Sequence, residues 1–498
     1  MQHIDLSDAQ SPFVLTLDVG TSSVRLLCFD AGARQVNGVE ARRSMTVHSD
    51  AQGSAEIDVD ELFALCVAVI DEVVTLLGAY TSRVAAVAID TMATTMVGLD
   101  ATGRAVGPLR TYADTQSDAS AVWLRSMYAE HEVHRRTGCM LRPNYWPARL
   151  HWLRHRCERE WHEATRWVTF GEYIDWRLFG VHRVSLSAAA WTGLLHGPTL
   201  SWDRTWLEIL ALGADQLGTL VDVDDGRIGL LPTWAQRWPH LATVPWYPAI
   251  GDGAAANVGS GCVDVDQVAL TIGTTGAVRV AMPGRPEPPF GLWSYRIDRH
   301  TALVGGAMSE GGNVYQWVTE TLQMPVQGGD LEHRLAAYAP DSHGLTVLPL
   351  WAGERSPGWA GDAQATIHGL RLHTGPVDIL RAALESVALR VAAMMAALPP
   401  HPAQRVVASG GALLHSPTWM QICADALGRT VYASPIGEAT ARGVALLALR
   451  SLGVIGALDA VPTPLTHAFH PNMEAYQRYQ QAMQRQKALY DRMVDIPL

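Results

Sequence analysis

The sequence runs to 498 residues, too long for one ordinary hydrophobic core, so two domains are expected. Hydrophobic residues make up 48% and charged residues 17%, the balance of a packed soluble protein rather than a disordered chain. A formal charge of −11 opposes non-specific nucleic-acid binding, yet leaves room for an anionic small ligand held by backbone dipoles and a metal ion.

The first residues, MQHIDLSDAQ, carry two acids and no basic cluster, so no secretory signal is expected. FVLTLDVGTSSVRLLCFD reads as a strand, a tight glycine turn and a second strand, and Asp30-Ala31-Gly32 supplies a hairpin-type turn. VDELFALCVAVIDEVVTLL has helical spacing. Asp71 and Glu72 interrupt this apolar stretch, which fits an amphipathic helix better than a membrane span. RVAAVAIDTMATTMVGLD repeats the opening logic: apolar strand, polar loop, strand. Hairpins mixed with a crossover helix predict an α/β domain with a mixed sheet.

From about Asp114 to Trp246 the chain is expected to be mostly helical, with Trp and Arg interspersed. A new α/β start follows. VDQVALTIGTTGAVRVAM echoes the opening segment, which we read as a weak internal duplication with a boundary near 245–250. The expected domains are 1–247 and 248–498. QRVVASGGALLHSPTWMQICADAL then reads as strand, Gly-Gly turn and helix, and the tail from Met473 to Leu498 as a packed terminal helix. Six cysteines lie far apart without a C-x-x-C pair, as expected for free thiols in a reducing, cytoplasmic compartment.

Two loops invite a phosphate reading. Gly20 lets the backbone turn closely and leaves N–H groups and the Thr21 and Ser22 hydroxyls free to donate to phosphate oxygens, while Asp18, ending the strand, is placed to hold a hydrated Mg²⁺. The plainer alternative is a hairpin whose Asp caps the turn. Gly273, Thr274 and Thr275 offer the same chemistry or another plain turn. Neither is a P-loop or a dinucleotide G-x-G-x-x-G.

GDGAAANVGSG sets Asp252 among small residues, so a substrate can lie against the backbone. Phosphorylation of an alcohol needs an acceptor for the hydroxyl proton within about 3 Å, and this carboxylate can serve. It can equally cap a helix beginning at Gly253. Gly410 and Gly411 either lie flat against a nucleotide or make a simple strand-to-helix turn. Glu438 caps its helix or lines the nucleotide side. Thr91, Met92, Thr94, Thr95 and Asp114 suit a polyhydroxylated ligand, since buried sugar hydroxyls need matched partners. Trp146 and Trp191 read as core. The sequence holds no H-E-x-x-H and no G-x-S-x-G elbow.

In order along the chain, LDVGTSSVR, YADT, TGCMLRPNYWPARLHWLR, EYIDWRLFG, GDGAAANVGSG, TIGTTGA, YRIDRHTALVGGAMSEGGNVYQW, LPLWAGERSPGW, SGGALLHSPTWMQICADALG and EATARGVALLA resemble the FGGY family of carbohydrate kinases, most closely its gluconokinase-like members. The similarity spans Phe13 to Leu449. It implies two actin-like, ribonuclease H-like domains of the hexokinase, Hsp70 and actin superfamily, closing on ATP and Mg²⁺. It further implies Asp252 as catalytic base, Asp18 at the metal, Thr21 and Thr274 in the phosphate loops, and Gly410 and Gly411 on the nucleotide side. For LPLWAGERSPGW, with Glu354 and Arg355, it implies an architectural role near the cleft. Gluconate is the expected acceptor, and xylulose, ribulose or another pentulose or polyol is the alternative. A nucleotide-dependent switch or sugar-sensing pseudo-kinase is the reading from another class. Ala93 and Thr94 replace the Arg-Glu pair of glycerol kinases, and Ser309-Glu310 stands where gluconokinases carry two asparagines, so a Glu310 facing a sugar acid would repel it. The partner is thus a small sugar or sugar acid, with no nucleic acid and no membrane, and a homodimer is the default assembly.

Overall fold

A computed structural model describes residues 3–399 and 405–494. The first residue of the strand expected from Gln404 and the last four of the expected tail helix lie outside them.

The first sheet is built from β1 (His3–Ile4), β2 (Phe13–Val19), β3 (Ser23–Phe29), β4 (Gln35–Ser44) and β5 (Val84–Thr91), with α1 (Val59–Leu77) between β4 and β5. β2 is buried along its whole length, as expected of a central strand covered on both faces. Asp58 caps α1 through the N–H groups of Asp60 and Glu61, and the helix ends at Gly78. Taken alone, α1 with the turn after it, Val59–Arg83, is long and apolar enough to cross a membrane. Its Leu62, Phe63, Cys66, Val69, Ile70 and Val73 instead pack into the core of the first sheet.

About half of 114–246 is helical, less than expected, and includes α2 (Leu186–Thr192). Sequence patterning missed a five-stranded antiparallel sheet in which Arg166–Val168 pairs with Met96–Leu99, itself followed by Ala105–Arg110, Ala55–Ile57 and His48–Ser49. Then β6 (Ile250–Gly251) joins the first sheet beside β5, giving the order β1-β4-β3-β2-β5-β6, and α3 (Asp252–Gly259) follows at once.

The second sheet uses β7 (Gln267–Ile272), β8 (Gly276–Pro283), β9 (Trp293–Arg296) and β10 (Thr301–Met308), then α4 (Gly312–Thr321), α5 (Pro376–Ala397), β11 (Arg405–Ser409), α6 (Pro417–Leu427), β12 (Val431–Ala433), α7 (Ala439–Ser451), β13 (Ala468–Phe469) and α8 (Met473–Met493). Its order is β9-β10-β8-β7-β11-β12-β13. The duplication read from two similar hairpins is visible here as topology. β4-β3-β2 and β10-β8-β7 are antiparallel triplets, and each continues into two parallel strands, β5-β6 and β11-β12. One apolar core lies under each sheet, and a third joins them, with Val14, Leu27 and Ala88 on one side and Tyr295, Leu303, Val444 and Leu447 on the other.

Candidate active site

Strand register gathers three carboxyl groups from distant parts of the chain. Parallel pairing sets Asp18 of β2 opposite Asp90 of β5, and Asp90 opposite Ile250 of β6. Asp252 opens α3 two residues on. All three lie at the C-terminal ends of parallel strands, where open α/β sheets place their ligands. Asp18 is buried and accepts from Arg25 Nη2 at 2.5 Å, while Arg25 Nη1 reaches Glu438 at the start of α7 at 2.6 Å. Burial pushes the Asp18 carboxyl up against the pull of that guanidinium. Asp90 is fully buried, and burial together with the Asp18 and Asp252 charges holds it well above the usual carboxylate range. Asp18 and Asp90 are close enough to share a proton, and no other donor among the described residues reaches either Asp90 oxygen. Asp252 is half-buried; its Oδ1 accepts from Gly253 N–H at 2.7 Å. Burial raises it to about 6, while that N–H and Arg279 pull the other way. The helix thus begins one residue earlier than expected, at Asp252 itself.

The two hydroxyl turns are tight and exposed. Gly20 N–H donates to Ser23 O at 3.1 Å, leaving Thr21 and Ser22 at the surface, and Gly273 N–H donates to Thr275 O at 3.0 Å, leaving Thr274 and Thr275 at the surface. The second turn is pinned from behind by α4, whose Gly312 N–H donates to Gly273 O at 2.7 Å. Gly410 has φ +93°, and a Cβ there would stand 2.4 Å from Ile272 O and 2.8 Å from Gly273 N, so only glycine lets the β11 turn lie flush against this loop. Gly411 follows, opening a single helical turn. Gly273, Thr274, Thr275, Gly410 and Gly411 are therefore one surface. A polar line runs from it toward Asp252: Ser409 Oγ meets Thr271 Oγ1 at 3.0 Å, Arg279 Nη2 donates to Thr271 Oγ1 at 2.9 Å, and the Arg279 charge acts on Asp252.

Around Asp252 stand donors without acceptors. A Cβ on Gly253 would meet Arg279 Nη1 at 3.5 Å, and one on Gly251 would meet Trp191 Nε1 at 2.5 Å. Arg279 Nε and Trp191 Nε1 are buried and unpartnered. Trp191, on α2, stacks on Tyr295 with centroids 3.9 Å apart, so it is an inter-lobe contact as well as core. The Arg355 charge also acts on Asp252, and its guanidinium makes no hydrogen bond to a described residue, whereas its neighbour Glu354 is buried against Arg390 and Tyr490.

Thr94 follows β5 with φ +55°, a costly backbone for a β-branched residue, and its hydroxyl is buried without a partner. Arg149, fully buried, holds that bend by donating to Thr94 O at 2.5 Å and to Thr111 O. Asp114, expected at the substrate, is instead occupied by backbone: its carboxylate accepts from Ala55 N–H at 3.1 Å and Gln116 N–H at 3.3 Å. TYADTQ folds its own acid into a local turn, a competitor of the ligand reading. Glu438 makes no side-chain cap and pairs across the lobes with Arg25. Glu310 is buried, accepts from Ala352 N–H at 3.2 Å, and burial raises it to about 7, so it is turned inward.

Comparison with known proteins decides the lineage. The N-terminal domain model of the FGGY family of carbohydrate kinases matches residues 13–259, and the C-terminal domain model matches residues 268–452. The chain belongs to the FGGY family of carbohydrate kinases. Among its FGGY relatives, a gluconokinase of Bacillus subtilis is 25% identical over 90% of this chain and 89% of its own, and a glycerol kinase of Gloeobacter violaceus is 30% identical over 90% of each. Among solved structures, a gluconate kinase from Lactobacillus acidophilus superposes with TM-score 0.89 at 22% identity, covering 97% of this chain and 98% of its own. A ligand-bound xylulose kinase from the same organism gives 0.88 at 22% identity, covering 96% and 98%. The protein is an FGGY phosphotransferase acting on a sugar hydroxyl, with ATP as co-substrate.

A hard divalent cation fits this FGGY site, because its preferred ligands are oxygens and the donor-less oxygens of Asp90 lie beside Asp18. Sequence reading missed Arg25, Asp90 and Arg279. Arg25 was within reach, since it stands opposite Asp18 across the first hairpin. Asp90 showed only as one acid at the end of an apolar run. A further acid–histidine group, Asp341, His343 and Glu385, is internally satisfied: His343 Nε2 meets Glu385 at 3.0 Å, its Nδ1 accepts from Leu345 N–H at 3.0 Å, and Asp341 pairs with Arg485.

Proposed function

We propose that this kinase phosphorylates a hydroxyl of a sugar acid, with gluconate as the leading acceptor and Asp252 as the group that takes the proton. The observation that carries the reading is the pair of guanidiniums, Arg279 and Arg355, that both act on the one carboxylate of Asp252 and form no ion pair with any described residue. Buried or half-buried cations are costly unless paired, and an anionic acceptor supplies the missing charge. Glu310, the acid that would repel such a substrate, is buried with one oxygen on Ala352 N–H, and burial raises it to about 7, which removes much of its charge at neutral pH. Trp191 Nε1 and the Thr94 hydroxyl add a donor and a donor–acceptor for sugar hydroxyls.

In this reading the turns at Gly20–Ser22 and Gly273–Thr275 hold the triphosphate with backbone N–H groups and hydroxyls. Mg²⁺, when bound, screens the phosphate charge, with Asp18 as its anchor. Asp252 keeps one oxygen on Gly253 N–H and offers the other to the acceptor hydroxyl. A carboxyl near 6 is mostly ionised at neutral pH and still basic enough to accept a proton as the new P–O bond forms. Closure of the two lobes excludes water, which would otherwise compete for the phosphoryl group.

The test is ADP release across a panel of aldonates, ketoses, glycerol and other polyols, for the wild type and Arg279→Gln. Aldonates are expected to give the highest kcat/KM, and Arg279→Gln to raise the aldonate KM by roughly 10- to 100-fold, the loss of one charge-assisted contact, with little change for neutral acceptors. A ketose or polyol that outperforms every aldonate, or an unchanged aldonate KM in the variant, contradicts the assignment.

A further inference from the structure

Asp90 is the central carboxyl of the row, and among the described residues only Asp18 answers it. Asp18 has Arg25 at 2.5 Å, and Asp252 has Gly253 N–H at 2.7 Å. Asp90 sits between them with no exposed surface, and both its oxygens lack any N–H or O–H donor among the described residues, apart from a proton shared with Asp18. Buried polar atoms are almost always satisfied, and an orphaned carboxyl flanked by two others marks a place where something outside the polypeptide completes the set. Opposed residues on parallel strands present side chains to the same face, so Asp18 and Asp90 project together from the ends of β2 and β5. The cations that answer such a pair are hard, small and oxygen-loving. Arg25, across Asp18 from Asp90, spends its hydrogen bonds on Asp18 and Glu438 and acts on Asp90 only through its charge.

We propose that Asp90 is a ligand, directly or through one bound water, of the divalent cation that accompanies the nucleotide, so that this chain grips its metal with a carboxylate pair from adjacent strands. The inference rests on the kinase reading above and adds a residue to it. Two carboxylates bind a divalent ion more tightly than one, and the metal–nucleotide complex is thereby held at the strand ends, beside Asp252, rather than by the turns alone.

Mn²⁺ is the probe, titrated by electron paramagnetic resonance into the full chain with saturating ADP, and metal-free ADP binding is measured separately by calorimetry. Asp90→Asn is nearly isosteric and removes the charge. It is expected to keep metal-free ADP affinity within about twofold of wild type while weakening Mn²⁺ binding to the ADP complex by about tenfold or more. Asp90→Ser serves as a second variant should the amide fail to fold, with the same expectation. Wild-type Mn²⁺ affinity in a folded Asp90 variant overturns the proposal and leaves the proton shared with Asp18 as the reason for the pair. Failure of the kinase reading looks different: the wild type then binds Mn²⁺ and ADP normally but releases no ADP in response to any acceptor.

Discussion

In its proposed role as base, Asp252 is tuned by burial and charge. Desolvation lifts its carboxyl from the usual 3.8 to about 6, against the pull of Gly253 N–H and Arg279. Two consequences follow with opposite signs. Catalysis needs the ionised form, so kcat/KM is expected to fall about tenfold per pH unit below about 6, a limb readable from a pH–rate profile. Stability runs the other way. The folded state holds this proton more tightly than the unfolded chain between about 4 and 6, so the contribution of Asp252 to stability declines as pH rises through that window. Asp252→Asn is therefore expected to melt higher than wild type at pH 7.5 and to lose that advantage at pH 4; a lower melting temperature at pH 7.5 contradicts the desolvation argument. At this scale the glycine-flanked acid and the two hydroxyl turns were legible because their chemistry is local. Asp90 and Arg279 were not, since their meaning lies in which distant strand stands opposite. Asp114 misled because a short acid in TYADTQ satisfies its own turn as readily as a ligand.

At the scale of elements, α3 and α7 carry Asp252 and Glu438 at their starts, and two glycines set how closely they cross. A Cβ on Gly443 would stand 1.9 Å from Ala255 O, and one on Gly259 would stand 1.7 Å from Ala439 O. Backbone lies on backbone there, with no flexible side chain to yield. Gly443→Ala is expected to cost roughly 1–3 kcal/mol or more by urea unfolding and to lower kcat by displacing Asp252 from the two hydroxyl turns. A variant with wild-type stability and turnover removes the crossing from the account. The strand–turn–strand echo was readable because hairpins announce themselves through alternation and glycine turns. The antiparallel strands at Ala55–Ile57 and Arg166–Val168 are three residues each, too short to leave a period.

Across the whole molecule, the cleft is made by two copies of one topology with matching loops. The lobes are tied at Arg25–Glu438, at Tyr145–Tyr295 with hydroxyls 2.5 Å apart, and at His134 Nε2 with Leu292 O at 2.5 Å. These contacts leave the two hydroxyl turns exposed, consistent with an architecture that binds ligands between its halves. The family and its phosphotransfer follow from the domain matches, whereas the acceptor depends on a handful of cleft side chains that low identity cannot transfer.

In the proposed reaction Asp252 takes the acceptor's proton while the two turns bind the nucleotide independently of it. Single-turnover transfer of the γ-phosphoryl group, measured for wild type and Asp252→Asn alongside ADP affinity, tests it directly. ADP affinity is expected to stay unchanged and transfer to fall by roughly 10²-fold or more; near wild-type transfer in Asp252→Asn removes the assignment of Asp252 as base.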